Sequence, residues 1–263
     1  MVWLLHHRYL QAIPKTIFAV DERDHMKVCF IQHEPYVSLG YFRTWIQKHH
    51  YDMQVVDCHD EKPTPALATN ADMLVVLGGP QNPHTTIKEC PYFHAAAERA
   101  TIRSFIDHQR VVVGVCLGAQ LIGEALGIPY EHSPQKEYGA FPVNLTTAGN
   151  SDLILKNFVD GVLLGEWHND MMGINADTPV LAASEGCPRQ IVRYGSLVYG
   201  LQCHMELTAQ DYKILIKRMG DILKRHQQYP DVQSIEEIRQ IDCQPMNQNL
   251  AAILDQLVKK YQE

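Results

Sequence analysis

The 263-residue sequence lacks the features that would place it in several large classes of protein. No uninterrupted apolar run approaches the roughly 20 residues a membrane-spanning helix needs, so an integral membrane protein is not expected. Positive charge is not in excess. Lys and Arg number 23 against 30 Asp and Glu, and the formal net charge of -7 leaves no chain-wide basic surface for a phosphate backbone. Seven cysteines include no Cys-x-x-Cys pair and are too sparse for a disulfide scaffold, which speaks against a zinc ribbon and for a reducing, cytoplasmic setting. No Gly-x-x-x-x-Gly-Lys-Ser/Thr phosphate loop occurs, and no Gly/Ser-rich linker or repeat divides the chain. Residues 1–25 open on a short apolar stretch broken by histidines and an arginine, so they read as an N-terminal extension of unassigned role rather than a secretory leader. The folded domain is expected over residues 26–263.

What is present alternates. Short β-branched or apolar runs at 28–31, 54–56, 73–77 and 111–115 read as strands, and between them 41–49, 92–108 and 119–126 carry apolar residues at helical spacing. Such alternation implies βαβ units and a parallel sheet covered by helices on both sides. The second half changes character. Runs at 141–145, 161–164, 180–183, 190–194 and 197–201 are strand-like with only turns between them, which suggests an antiparallel extension of the same sheet. Helical patterning returns at 209–225, 235–240 and 249–261, giving an α/β fold with a helical C-terminal end from about residue 226.

The strongest local signal is Val111-Val-Val-Gly-Val-Cys116-Leu-Gly-Ala-Gln-Leu-Ile, an apolar strand running directly into a glycine-flanked cysteine and then a helix. Gly114 and Gly118 permit close approach of strand and helix, so the side chain between them can occupy a strained, exposed turn. A helix N-terminus favours a thiolate, which makes Cys116 the candidate nucleophile. A cysteine chosen at random is more often an inert core residue. That is the reading adopted for the other six, because a core cysteine needs no glycine on each side.

A thiolate needs a base held by a carboxylate. In Leu197-Val-Tyr-Gly-Leu-Gln-Cys-His204-Met-Glu206, the histidine and glutamate lie two apart at the end of an apolar run, where period-two alternation would put them on one face. His204 is the candidate base and Glu206 its orienter. Parallel strands deliver their C-terminal ends to one sheet edge, so this pair can meet Cys116. His168 in Glu166-Trp-His-Asn-Asp170 is the reserve, with Asp170 able to orient it by the same spacing, although a place in the substrate pocket fits it better. Most other histidines, among them His6, His7, His49, His50, His59, His94, His108 and His226, are read as surface or satisfied residues. Leu77-Gly78-Gly79-Pro80 follows a strand and offers the Gly79 N–H as an oxyanion donor, with the Leu117 N–H as the second. By itself such a segment is more often a simple turn.

Taken together, Leu77-Gly-Gly-Pro80, Gly114-Val-Cys-Leu-Gly-Ala-Gln120 and Gly200-Leu-Gln-Cys-His204-Met-Glu206 resemble the class I glutamine amidotransferases in order and spacing. Lys136-Glu-Tyr-Gly139 followed by Pro142-Val resembles the GMP-synthetase-like branch. The resemblance implies a Cys116-His204-Glu206 triad, a γ-glutamyl thioester and release of ammonia to a synthetase. It also implies the flavodoxin-like, doubly wound mixed sheet of that family's α/β fold, and a glutamine pocket lined by Gln120, Trp167 and His168, with Gly79 and Leu117 as the oxyanion hole. Ala119 stands where many members carry histidine, which points to a divergent branch.

The expectation is a stand-alone, glutaminase-type amide hydrolase without metal or organic cofactor, passing ammonia to a separate synthetase. A second expectation keeps the triad and changes the substrate to a γ-glutamyl peptide or amine. A third is a regulatory or scaffold protein with little turnover, which would not need all three residues. Nucleic acid and membrane are not expected as partners.

Overall fold

The computed structural model describes residues 25–59 and 70–263, so the expected N-terminal extension lies outside the described residues except for His25. The first half builds the predicted βαβ units. Strands β1 (Lys27–Gln32), β2 (Asp52–Asp57), β3 (Met73–Val76) and β4 (Val111–Val115) alternate with helices α1 (Tyr41–His49), α2 (Ala95–Asp107) and α3 (Leu117–Ala125). In the order β2-β1-β3-β4-β10 these strands and β10 (Val198–Leu201) run parallel. The sheet then continues antiparallel through β9 (Ile191–Gly195), β8 (Val180–Ala183) and β6 (Asn144–Leu145).

Period-two alternation explains the uninterrupted apolar runs. Val28, Phe30, Met73, Val75, Val111 and Val113 pack toward α1 and α7 (Gln244–Gln262), whereas Cys29, Ile31, Leu74, Val76 and Val112 pack toward α2 and α3. A strand with an apolar layer on each face has no polar side to show. The remaining helices are α4 (Thr147–Asn150), α5 (Ala209–His226) and α6 (Ile235–Arg239). α5 and α6 each begin with a capping box, Thr208 with Asp211 and Ser234 with Glu237, which satisfies donors left open at a helix start.

The antiparallel extension holds for β6, β8 and β9 but not for the whole second half. β5 (Glu131–Pro142) and β7 (Leu163–Met171) form a separate two-stranded sheet. The run expected as one strand at 141–145 is therefore split between two sheets. Pro142 has no N–H to continue a ladder, and β6 resumes two residues later beside β8. The expected strand at 161–164 is only the start of β7, since Gly161 sits in a turn at φ 70. α2 begins at Ala95 rather than 92, because Phe93 closes a turn onto the Cys90 carbonyl at 3.1 Å. α7 begins at Gln244 rather than 249, with Pro245 in the first turn, where the missing N–H has no helical partner to lose.

Candidate active site

The C-terminal ends of β3, β4 and β10 are neighbours on one edge of the sheet, and each leads into a residue singled out by its chemistry. After β4 comes Cys116, at φ 50 and ψ -107, as the N-cap of α3. Its N–H donates to the Leu201 carbonyl at 2.8 Å and its carbonyl accepts from Gln120 N at 3.1 Å, so the turn is held from both sides. The flanking glycines are required by contact. A β-carbon on Gly118 would lie 2.0 Å from the Val76 carbonyl oxygen, and one on Gly114 would lie 2.4 Å from the Gly118 carbonyl carbon.

After β10 come His204 and Glu206. His204 Nδ1 lies 2.7 Å from Glu206 Oε1, and both side chains are buried. The pairing is as expected, but strand alternation is not what makes it, because β10 ends at Leu201. His204 is instead held by an isolated bridge in which its N–H donates to the Gly165 carbonyl at 2.6 Å. The Glu206 carbonyl accepts from Tyr41 N at 2.7 Å. Burial works against a charged imidazole, yet the Glu206 carboxylate and hydrogen bonds to Cys116 and Glu206 hold the His204 pKa well above its ordinary value. The His204 imidazole thus faces a thiol on one side and a carboxylate on the other.

After β3, Gly78 abuts this pair: a β-carbon there would meet His204 Cε1 at 3.1 Å and Cys116 Cβ at 3.5 Å. Gly79 follows and lies against Leu117 and His33. As the first residue of α3, Leu117 has an N–H with no partner inside the helix. Cys116, His204, Gly79, Leu117, Gln120, Trp167 and His168 all line one cavity of about 370 Å³. Gln120 is buried and reaches Gln202 Oε1 at 3.4 Å, while the Trp167 indole N–H points to Met219 Sδ at 2.9 Å.

Asp170 does not orient His168. The β5–β7 ladder places Glu137 opposite His168 and His132 opposite Asp170. Cross-strand neighbours supply two of the pairs, Asp170 Oδ1 with His132 Nδ1 at 2.6 Å and His168 Nε2 with Glu137 at 3.2 Å, while Glu166, two residues before His168 on the same strand, meets its Nε2 at 3.0 Å. Burial disfavours a charged His168, but these two carboxylates raise its pKa to about 10. Burial pushes Glu166 up to about 7, with the imidazole only partly offsetting it.

The remaining described cysteines are buried and unpaired. Burial pushes Cys29 and Cys243 up to about 11 and Cys187 up to about 12, as inert core thiols would be. Among the described residues, two buried groups that could serve as metal ligands, His33 with Cys58 and Glu98, and Glu137 with His168 and Cys187, form only through the fold. His33 and Glu98 escaped sequence reasoning, although Glu98 was a visible anomaly: a charge in register with Ile102 and Phe105 on the apolar stripe of α2.

Comparison with known proteins agrees with this architecture. The family profile described as glutamine amidotransferase class-I matches residues 43–219. The glutamine amidotransferase-like protein YfeJ of Salmonella typhimurium is 43% identical over 232 residues, which cover 88% of this chain and 97% of that one. The GMP synthase of Dehalococcoides mccartyi (strain ATCC BAA-2266) is 29% identical over 171 residues, 64% of this chain but only 30% of that protein. Among solved structures, SMU.1228c superimposes with a TM-score of 0.85 at 40% identity, covering 88% of this chain and 99% of that one. A Thermotoga maritima glutamine amidotransferase, at 21% identity, shares the fold with a TM-score of 0.75 over 89% of this chain and 99% of its own.

Proposed function

This chain belongs to the class I glutamine amidotransferase family, and on that premise we propose that residues 26–263 act as one unit that hydrolyses the side-chain amide of glutamine through Cys116, His204 and Glu206. The Cys116 thiolate attacks the amide carbon, and the carbonyl oxygen takes up the negative charge opposite the Gly79 and Leu117 N–H groups. As the C–N bond breaks, the His204 imidazolium gives its proton to the leaving nitrogen. Ammonia departs and a γ-glutamyl thioester remains. Water then attacks the thioester, His204 accepts its proton, and glutamate leaves as the thiolate re-forms. Glu206 keeps the His204 ring aligned and stabilises its charged form. Gln120, Trp167 and His168 would hold the substrate, and ammonia would pass to a separate synthetase.

The observation that carries this reading is the convergence of Cys116, at its strained strand-to-helix turn, and the His204–Glu206 pair on one cavity. Ammonia release by purified protein tests it. Cys116→Ala is expected to lower turnover of glutamine by about 10³-fold or more; undiminished release from that variant would refute the assignment.

The cavity also favours a second substrate class. Beyond the reacting groups it is bordered by Trp167 and by Leu215, Met219 and Ile222 of α5, apolar surface that the loss of ammonia does not require. An apolar amine leaving group would cover that surface, each buried methylene adding about 0.8 kcal/mol. If γ-glutamyl amides of aliphatic or aromatic amines are the better substrates, their kcat/KM exceeds that of glutamine by about tenfold or more.

A further inference from the structure

The oxyanion peptide between Gly78 and Gly79 is tied from behind. His33, which follows β1, places Nδ1 at 3.1 Å from the Gly78 carbonyl oxygen and Nε2 at 2.8 Å from Glu98 Oε2. A carbonyl only accepts, so Nδ1 carries the proton and donates it, while Nε2 faces the carboxylate. Neither side chain reaches solvent: His33 is 0% exposed and Glu98 2%. Phe93 packs edge-on to the His33 ring at 5.6 Å, so the imidazole is constrained from a third direction. Burial alone would favour the neutral ring, but the charge and hydrogen bond of Glu98 raise its pKa.

A buried pair of this kind gives little net stability, because desolvation of both groups offsets their attraction. Its position carries more information. The peptide unit is planar and trans, so its C=O and N–H point in opposite directions. A hydrogen bond that draws the Gly78 oxygen toward His33 turns the Gly79 N–H away from His33. Gly78 itself lies against His204 and Cys116, and both glycines line the cavity. Glycines at 78 and 79 leave this peptide few steric restraints of its own, so its orientation has to be imposed from outside.

We propose that His33 and Glu98 are positioning residues that hold the Gly78–Gly79 peptide with the Gly79 N–H aimed at the developing oxyanion. This rests on the reading of Cys116 as nucleophile and Gly79 as donor. The pair touches neither substrate nor thiol. It acts by removing the freedom of one peptide to rotate and by polarising its carbonyl, which makes the N–H at the other end a stronger donor.

The test separates reactions of the same thiol that do and do not form an oxyanion. p-Nitrophenyl acetate acylates Cys116 through a tetrahedral oxyanion, whereas iodoacetamide alkylates it by direct displacement, and Cys116→Ala supplies the blank for both. His33→Ala is expected to slow acylation by about 10- to 100-fold and to leave alkylation within about threefold of wild type. His33→Asn, whose amide nitrogen can stand where Nδ1 stands, is expected to recover most of the loss. Should His33→Ala fail to fold, Glu98→Gln carries the test, with acylation slowed about 3- to 10-fold at unchanged alkylation.

Equal rates in variant and wild type overturn the proposal. A parallel fall in both rates also overturns it, since it would place the effect on the thiolate. So would one zinc ion per purified wild-type chain that is lost in His33→Ala, because His33, Cys58 and Glu98 would then be a metal site. If wild type releases ammonia from no γ-glutamyl compound, the functional reading fails, while the ratio of the two rates still decides this inference.

Discussion

At Cys116 a residue with a β-carbon holds a left-handed φ of 50, a conformation that costs on the order of 1–3 kcal/mol and persists only when its surroundings enforce it. The surroundings here are backbone hydrogen bonds to Leu201 and Gln120. A different residue-scale effect arises behind the cavity, where Glu137 and Glu166 share His168. Burial disfavours the Glu166 anion, the His168 imidazole only partly offsets this and the neighbouring Glu137 charge adds to it, so Glu166 binds its proton up to about 7. The sign follows from which state holds the proton. The unfolded chain loses it near the ordinary value of 4.5 and the folded chain keeps it, so folding stability falls as pH rises between those values. His168, protonated to about 10 when folded, extends the decline beyond neutrality. The wild-type melting temperature is expected to drop from pH 5 to pH 7, and Glu166→Gln to flatten that interval. A wild-type melting temperature constant across the interval would contradict the proton assignment.

At the scale of elements, the contact between α3 and the sheet decides whether the Cys116 turn can form. Gly118 lies so close to β3 that a methyl group would overlap the Val76 carbonyl, which belongs to backbone and cannot swing aside. Gly118→Ala is therefore expected to lower stability by about 1–3 kcal/mol or more, read as a reduced urea midpoint with an unchanged slope. The β5–β7 pair matters for a different reason. It supplies Trp167 and His168 to the cavity and lends the Gly165 carbonyl to His204, joining a sheet that makes no strand pairing with the main one to the residue that needs orienting.

Over the whole molecule, α7 closes the layer that α1 begins. Its Leu250, Ile253, Leu254 and Leu257 are fully buried in the same cluster as Phe42 and Trp45, and Trp45 donates to Asp255 at 2.7 Å. Asn247 donates to the Met205 and Leu207 carbonyls at 2.7 and 3.1 Å, on either side of Glu206. The last helix thus reaches the candidate site through the chain that carries Glu206. Deleting residues 244–263 would expose an apolar face at about 25 cal/mol per Å² and is expected to yield insoluble or non-cooperatively melting protein. A truncated chain that melts cooperatively and keeps wild-type turnover would show that α7 is dispensable. No helix of the described residues is long and apolar enough to cross a membrane.

Local pattern was enough for β1 to β4, because strands covered on both faces must be apolar throughout and their connecting helices must be amphipathic, whereas β10, expected with the antiparallel runs, pairs parallel with β4. It was also enough to single out Cys116, since two glycines around one cysteine at a strand-to-helix corner record a steric requirement in the sequence itself. The pairing of His204 with Glu206 was legible from spacing, although the backbone that positions it is a bridge to Gly165 rather than a continued strand. β5 was not legible, because Glu131–Pro142 is largely polar, contains two prolines and has no period-two pattern. The pairing of His168 with Glu137 and of Asp170 with His132 depended on register, and register is a relation between two distant segments. The same holds for His33, Glu98 and the Gly78 carbonyl: side chains from β1 and α2 meet the loop after β3 only once the sheet has ordered its strands. Sequence alone determined what could be read from steric and hydrophobic demands along the chain, namely the α/β class and the cysteine turn. Tertiary structure decided which buried polar groups face one another, because a hydrogen bond to a remote partner leaves no periodic mark on either segment.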